Sequence, residues 1–164
     1  MLIRTVAQAI PVYVMSCFLL PMCICDKIER AVCQFWWGDS ENTRKIHWTS
    51  KNKLLKPKYE GGVGFKTLRD FNLAMLAKQI WRMHTTTNSL LPKCYKAKYF
   101  PRTTVLKATI GSSPSYAWRS MHQSIWIINK GSCWKIGNGL KVRIWEDIWL
   151  PFQNGFKALN QGIW

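Results

Sequence analysis

Apolar side chains recur at three- and four-residue steps in two long stretches of the chain, and both read as amphipathic helices. Over Asp26 to Trp37, with Ile24 just before it, Ile28, Ala31, Val32, Phe35 and Trp36 continue one apolar face from Ile24 while Lys27, Glu29, Arg30 and Gln34 take the other, and Gly38 closes the helix. From Thr67 onward, Leu73, Leu76, Ala77, Ile80 and Trp81 form a second stripe, and Lys78, Gln79 and Arg82 fall away from it. Thr67 with Asp70 three residues on predicts a capping box that engages the Thr67 hydroxyl. Shorter helices are predicted for Leu2 to Ile10, ended or kinked by Pro11, and for Ser89 to Phe100, ended by Pro101. A further one starts near Pro114, turns Trp118, Met121, Ile125 and Ile128 inward and stops at Gly131. "DSENTRKIHW" reads as a polar loop entering a strand-like piece at Lys45 to Thr49. "CWKIGNGLKVRIW" reads as a hairpin about a three-residue loop, Gly137-Asn138-Gly139, which sets Trp134 and Ile136 with Leu140 and Val142 and leaves Lys135, Lys141 and Arg143 on a basic outer face. The pattern therefore predicts a mainly α fold with a small C-terminal β-hairpin (α+β), an irregular helical module over residues 1–150 with the hairpin near 133–145, and a frayed tail over 151–164.

One apolar run needs a separate decision. Val6 to Cys25 carries no charged side chain and is long enough to span a bilayer, which takes about 20 residues. Gln8, Pro11, Ser16 and Pro21 interrupt it, so two buried pieces broken at the prolines are favoured over a membrane anchor. A single basic residue, Arg4, and no clear small-residue cleavage site argue against a signal peptide.

Composition sharpens the picture. With 164 residues and 48% hydrophobic content, the chain fits one ordinary domain or a piece of a larger protein, not a disordered tail. Ten tryptophans accompany a net charge of +16, a surface suited to polyanions. The charge is central: from Glu41 to Lys107, fifteen Lys or Arg face only Glu41, Glu60 and Asp70, whereas the first forty residues balance three against three. The six cysteines, Cys17, Cys23, Cys25, Cys33, Cys94 and Cys133, form no CxxC pair and have no histidine among them, which disfavours zinc. Most lie in apolar surroundings, pointing to a reducing compartment without a disulfide framework.

Catalytic chemistry is hard to assemble. Only eight carboxylates exist, too scattered for two-metal phosphoryl chemistry, and His47, His84 and His122 have no evident carboxylate or nucleophile partner. Cys94 lies beside Lys93 and Lys96 but has no identifiable base. "YEGGVGFKTLRD" is not a nucleotide loop, because Phe65 separates Gly64 from Lys66 and no apolar strand leads in; its glycines turn the chain from a basic loop into the helix at Thr67. What remains is the interleaving of cations with aromatics: Arg44, Lys45 and Trp48; Lys51, Lys53, Lys56, Lys58 and Tyr59; Lys66; and Lys93, Lys96, Lys98, Tyr99 and Arg102. Such a pattern suits cations that follow a phosphate backbone while rings meet bases or sugars. Trp36, Trp81 and Trp118 lie on apolar helix faces and are expected in the core.

"IPVYVMSCFLLP", "ICDKIERAVCQFWWGD", "RKIHWTS", "KPKYEGGVGFKTLRDFNLAMLAKQIWRM", "KAKYFP", "SYAWRSM" and "WKIGNGLKVRIWEDIWLP", in this order, resemble the region downstream of the polymerase core in plant LINE-type (non-LTR) retroelement reverse transcriptases. The same series is similar to ribonuclease H-like proteins derived from those elements and to short plant mitochondrial open reading frames. The resemblance extends to about Pro151; Met22, where the family commonly has lysine, and "SKNKLLKPK", where relatives carry tryptophan and cysteine, depart from it. It implies a fragment of a polyprotein of RNA-directed DNA polymerase type. The family's aromatic-x-Asp-Asp tetrad, downstream zinc segment and ribonuclease H acids have no counterpart here, so no catalysis by this chain alone is expected. No cofactor is expected, Mg2+ belonging only to the complete polymerase. The expected partners are the RNA or DNA backbone and the missing polymerase domain, in the nucleus or the mitochondrion. A membrane-anchored protein and a pseudogene product that does not fold stably are the competing readings.

Overall fold

A computed structural model describes residues 11–39, 45–140, 142–143 and 148–149. The predicted helix from Leu2 to Ile10 and the tail over 151–164 lie outside these residues. Helices α1 (Val12–Cys17), α2 (Met22–Trp37), α3 (Lys51–Leu55), α4 (Leu68–Thr85), α5 (Leu90–Tyr99), α6 (Tyr116–His122) and α7 (Ile125–Gly131) follow in order, with 3-10 turns at Lys58–Glu60 and Val105–Lys107. There is no strand among the described residues.

Helix α4 is the central column, and α1, α2, α5, α6 and α7 all pack on it. Its buried positions, Leu68, Asn72, Leu76, Ala77, Ile80 and Met83, keep the helical three-to-four-residue step. Leu76, Ile80 and Met83 meet Phe100, Val105, Trp118, Met121 and Ile125 in the main core. Trp118 is fully buried; its indole N–H donates to the Ile110 carbonyl at 3.2 Å, and Tyr99 stacks on it at 4.9 Å. Two smaller clusters flank this core, one of Leu54 and Phe65 under Val32 and Trp37, the other of Met15, Cys25 and Leu68.

The charge-free run is broken at Pro21 as predicted, but its two pieces are only partly buried: Met15, Leu19 and Cys25 are inside, whereas Tyr13, Val14, Phe18, Met22 and Ile24 are exposed. Helix α1 starts after Pro11 and α2 after Pro21, and the corner between them is held by polar side chains from elsewhere. The Asn72 amide nitrogen donates to the carbonyls of Met15 (2.7 Å) and Phe18 (2.9 Å), while its oxygen accepts from Leu20 N–H at 2.7 Å. Arg69 donates to the Leu20 carbonyl (2.9 Å) and the Tyr116 hydroxyl to that of Leu19 (3.0 Å). Among the described residues, no helix is long and apolar enough to cross a membrane.

Several expectations need correction. Helix α2 begins at Met22, a full turn before Asp26, because Pro21 starts a helix that the uniform apolar lead-in did not mark. Its buried edge is also rotated: Cys25 and Glu29 are buried, whereas Ile24, Phe35 and Trp36 are exposed. It does end at Gly38, with φ 72°, where Gly38 N–H bonds to the Phe35 carbonyl and Asp39 N–H to that of Gln34, a Schellman closure. The capping box at Thr67 is absent, since the Thr67 side chain makes no cap bond. The first α4 donor, Leu68 N–H, is taken by Glu29 Oε1 at 2.9 Å, so the cap comes from α2. The helix expected from Pro114 to Gly131 is two, parted at Gln123 and Ser124, where the buried Ser124 hydroxyl bonds back to the Met121 carbonyl at 2.7 Å.

The strand-like piece at 45–49 is irregular chain with a bend at Thr49 and no partner strand among the described residues. The hairpin is not formed among the described residues: Gly139 takes the left-handed conformation its loop requires (φ 75°), but Trp134 N–H bonds to the Ile148 carbonyl at 2.7 Å in place of the expected pairing with Val142. Trp36 and Trp81, expected in the core, are 43% and 44% exposed. Each sits at the margin of its stripe and covers one neighbour, Phe65 for Trp36 and His84 for Trp81.

Candidate nucleic-acid interface

The central basic segment is built on α3 and the turn after it. Ser50 precedes α3, which exposes Lys53 and buries Leu54 against Phe65. The chain then folds back: Phe65 N–H bonds to the Leu54 carbonyl (3.3 Å) and Gly64 N–H to that of Lys56 (2.9 Å). This return explains the glycines. A side chain at Gly62 would overlap the Lys56 carbonyl oxygen, and Gly64 has φ 74°. Upstream, Asp39 holds the 45–47 segment, accepting from Lys45 N–H (2.9 Å) and from His47 Nε2 (2.9 Å), while the His47 ring stacks on Trp37 at 5.7 Å.

The cations divide into engaged and open groups. Lys51 is a structural ion-pair partner, not the free phosphate contact its sequence neighbours suggest. Its ammonium lies 2.6 Å from Glu29 Oε2 and 3.1 Å from Asp26 Oδ1, and the hydrogen bond to Glu29, with a smaller one to Asp26, raises its pKa. These groups face an open cleft of about 390 Å³ between α2, α3 and the start of α4, which Lys56 and Arg69 also line. Lys56 is exposed and 3.8 Å from Glu60, an i,i+4 pair of small worth. Lys66 lies over the Phe71 ring at 4.5 Å, and Lys98 over Tyr99 at 5.3 Å.

Lys45, Lys53, Lys58, Lys93, Lys96 and Arg102 are exposed with no carboxylate partner among the described residues. Arg44 lies outside the described residues. Trp48 and Tyr59 are 80% and 87% exposed. On α5 the aromatics turn inward, Tyr95 and Tyr99 packing on Trp118, so Lys93, Lys96 and Lys98 line that helix without a free ring. Tyr99 accepts from Ser115 N–H at 3.1 Å, and its bonding at Ser115 lowers its pKa.

The cysteines are free thiols, and burial raises the pKa of Cys25 and Cys33. Among the described residues no group of three or more His, Cys, Asp or Glu is placed to hold a metal ion. His122 bonds the Ala108 carbonyl at 3.0 Å, and His84 lies beside Trp81. Sequence reasoning missed Glu29 and Asn72, which lock α2 and the α1–α2 corner to α4 and so fix the platform beneath α3.

The fold and surface thus define a helical module with exposed cations, several of them without a carboxylate partner among the described residues. Over 154 residues the chain is 39% identical to an uncharacterized mitochondrial protein of Arabidopsis thaliana, covering 93% of this chain and 100% of that protein. It is 30% identical over 154 residues to a candidate ribonuclease H protein of the same plant, covering 91% of this chain but 24% of that protein, so it spans about a quarter of this second relative. The chain belongs to the family of that mitochondrial protein. No family model matches the chain. No solved structure matches it.

Proposed function

We propose that the chain is a non-catalytic module that binds RNA or DNA through its phosphate backbone, without sequence preference, and that it derives from a plant LINE-type reverse transcriptase. The observation that carries the reading is the run of exposed lysines on α3 and the following turn, Lys53, Lys56 and Lys58, whose only acid partner among the described residues is Glu60 at 3.8 Å from Lys56. Like charges gathered this closely repel one another until a polyanion neutralises them. Lys45, Lys66, Lys93, Lys96, Lys98 and Arg102 extend the contact, and Lys51 supports it from within the fold. The two plant relatives, one named as mitochondrial and one as a ribonuclease H protein, support the retroelement origin. In the parent polyprotein the module would steady a primer-template beside the polymerase domain. The reading calls for no cofactor in this chain, and it places the protein inside the cell, in the nucleus or the mitochondrion.

The test compares Lys53→Ala/Lys56→Ala/Lys58→Ala with Lys27→Ala/Lys78→Ala/Lys107→Ala, an equal loss of charge on other exposed lysines. Fluorescence anisotropy with labelled RNA at about 50 mM salt should show the first set at least tenfold weaker and the second within about threefold of the unsubstituted chain. Equal losses would reduce the effect to bulk charge and overturn the assigned surface.

A further inference from the structure

We propose that Trp48 and Tyr59 each offer a stacking face to unpaired bases, so that the module prefers single-stranded nucleic acid to duplex; this rests on the nucleic-acid reading above and names its substrate.

Most of the aromatic rings are committed to the fold. Tyr95, Tyr99, Phe100 and Trp118 are packed together in the core, Trp37 stacks on His47, and Trp36 covers Phe65. Trp48 and Tyr59 serve no such purpose: they are 80% and 87% exposed and have no ring partner among the described residues. A large aromatic left in water contributes little to this fold and keeps its whole apolar face available to a ligand.

Tyr59 sits on a hydrogen-bonded turn, and Trp48 follows a residue whose side chain is held. Tyr59 is the middle residue of the turn Lys58–Glu60, closed by Glu60 N–H to the Pro57 carbonyl (3.0 Å) and Gly61 N–H to that of Lys58 (3.1 Å). Gly62 N–H returns to the same Pro57 carbonyl at 3.1 Å. Trp48 follows His47, whose ring is held by Asp39 at 2.9 Å and stacks on Trp37. His47 is tied to the protein at Asp39 and Trp37, while the Trp48 side chain next to it stands in solvent. Such preorganisation reduces the ordering cost when a ligand arrives.

Charge selects the ligand. Lys45 and Lys53 flank Trp48 in sequence, and Lys56 and Lys58 precede Tyr59. Tyr13 is as exposed, at 82%, but lies in the charge-free run and has no such frame. Rings among exposed lysines, of which only Lys56 has a weak acid partner in Glu60, fit a ligand that offers planar faces and phosphates together. A single strand offers both, whereas a duplex hides its base faces inside the stack. On α5 the lysines have no free ring, and that helix meets phosphate alone.

The experiment titrates the full chain with labelled oligouridylate, longer than a site of roughly 16 nucleotides, and with a duplex of equal length. Trp48→Ala and Tyr59→Ala are compared with the unsubstituted chain and with Trp48→Phe, and each fold is checked by circular dichroism. Each alanine variant should lose roughly tenfold in affinity for oligouridylate while duplex binding and the salt slope stay unchanged, and Trp48→Phe should keep most of the affinity. Ring variants that bind the strand normally, or that lose strand and duplex equally, overturn the stacking role and leave the cationic surface standing. Failure of the unsubstituted chain to bind either probe at low salt overturns both.

Discussion

Replacing Asn72 by alanine should be among the most damaging single changes in this protein. The side chain is fully buried and ties one donor and two acceptors of the α1–α2 corner to α4. Each buried backbone group left without a partner costs about 1–3 kcal/mol, but the groups share one network and those of Phe18 and Leu20 lie near enough to the surface for water to reach. The net loss is therefore about 2–4 kcal/mol, a large part of the roughly 5–15 kcal/mol typical of a domain. Urea unfolding followed by tryptophan fluorescence and far-ultraviolet circular dichroism measures it. Asn72→Asp sharpens the test: it keeps the acceptor for Leu20 N–H but turns a buried carboxylate toward the Met15 and Phe18 carbonyls. Burial would raise the pKa of that carboxyl above its unfolded value near 4, so stability is lost as pH rises through the folded pKa and the deficit shrinks near and below about pH 4. At neutral pH the Asp variant should thus be worse than the Ala variant. A loss below about 1 kcal/mol for Ala, or an Asp variant milder than Ala at neutral pH, would refute the clamp. A non-cooperative transition in the unsubstituted chain would remove its premise and favour the pseudogene reading.

Three other outcomes follow from the same geometry. Glu29→Ala should destabilise by about 2–4 kcal/mol in urea, because it leaves Leu68 N–H unpaired and Lys51 with Asp26 alone, whereas Glu29→Gln, which keeps an acceptor, should cost about half as much. The raised Lys51 pKa means that its stabilisation is complete below the ordinary lysine value of 10.5 and is lost as pH rises through the folded value, so an alkaline melt of Lys51→Met should fall less steeply than that of the unsubstituted chain. Iodoacetamide with mass-spectrometric readout should label exposed Cys23, Cys94 and Cys133 well before buried Cys25; equal rates would contradict the packing at Met15 and Leu68.

How far the fold could be read from sequence depended on how local its causes are. Gly38 ends α2 through its own left-handed backbone, and α5 runs from Leu90 to Tyr99, within the predicted Ser89 to Phe100 stretch that Pro101 closes. The rotation of α2 and the roles of Glu29 and Asn72 depend on partners 39 and 52–57 residues away, which no helical period can reveal. Thr67 looked like a self-sufficient cap because its real cap arrives from another helix. At the candidate surface the concentration of lysine was plain in composition, but the commitment of Lys51 to Glu29 and the exposure of Trp48 became visible only once the chain was folded.

The central claim, a non-catalytic polyanion-binding surface, is tested most directly by the salt dependence of binding. The unsubstituted chain, titrated with single-stranded RNA from about 50 to 200 mM salt, should give a log–log slope of about −0.7 for each phosphate neutralised, or roughly −3 if four or five are engaged. A slope near zero, or no binding at the low end of that range, would contradict it.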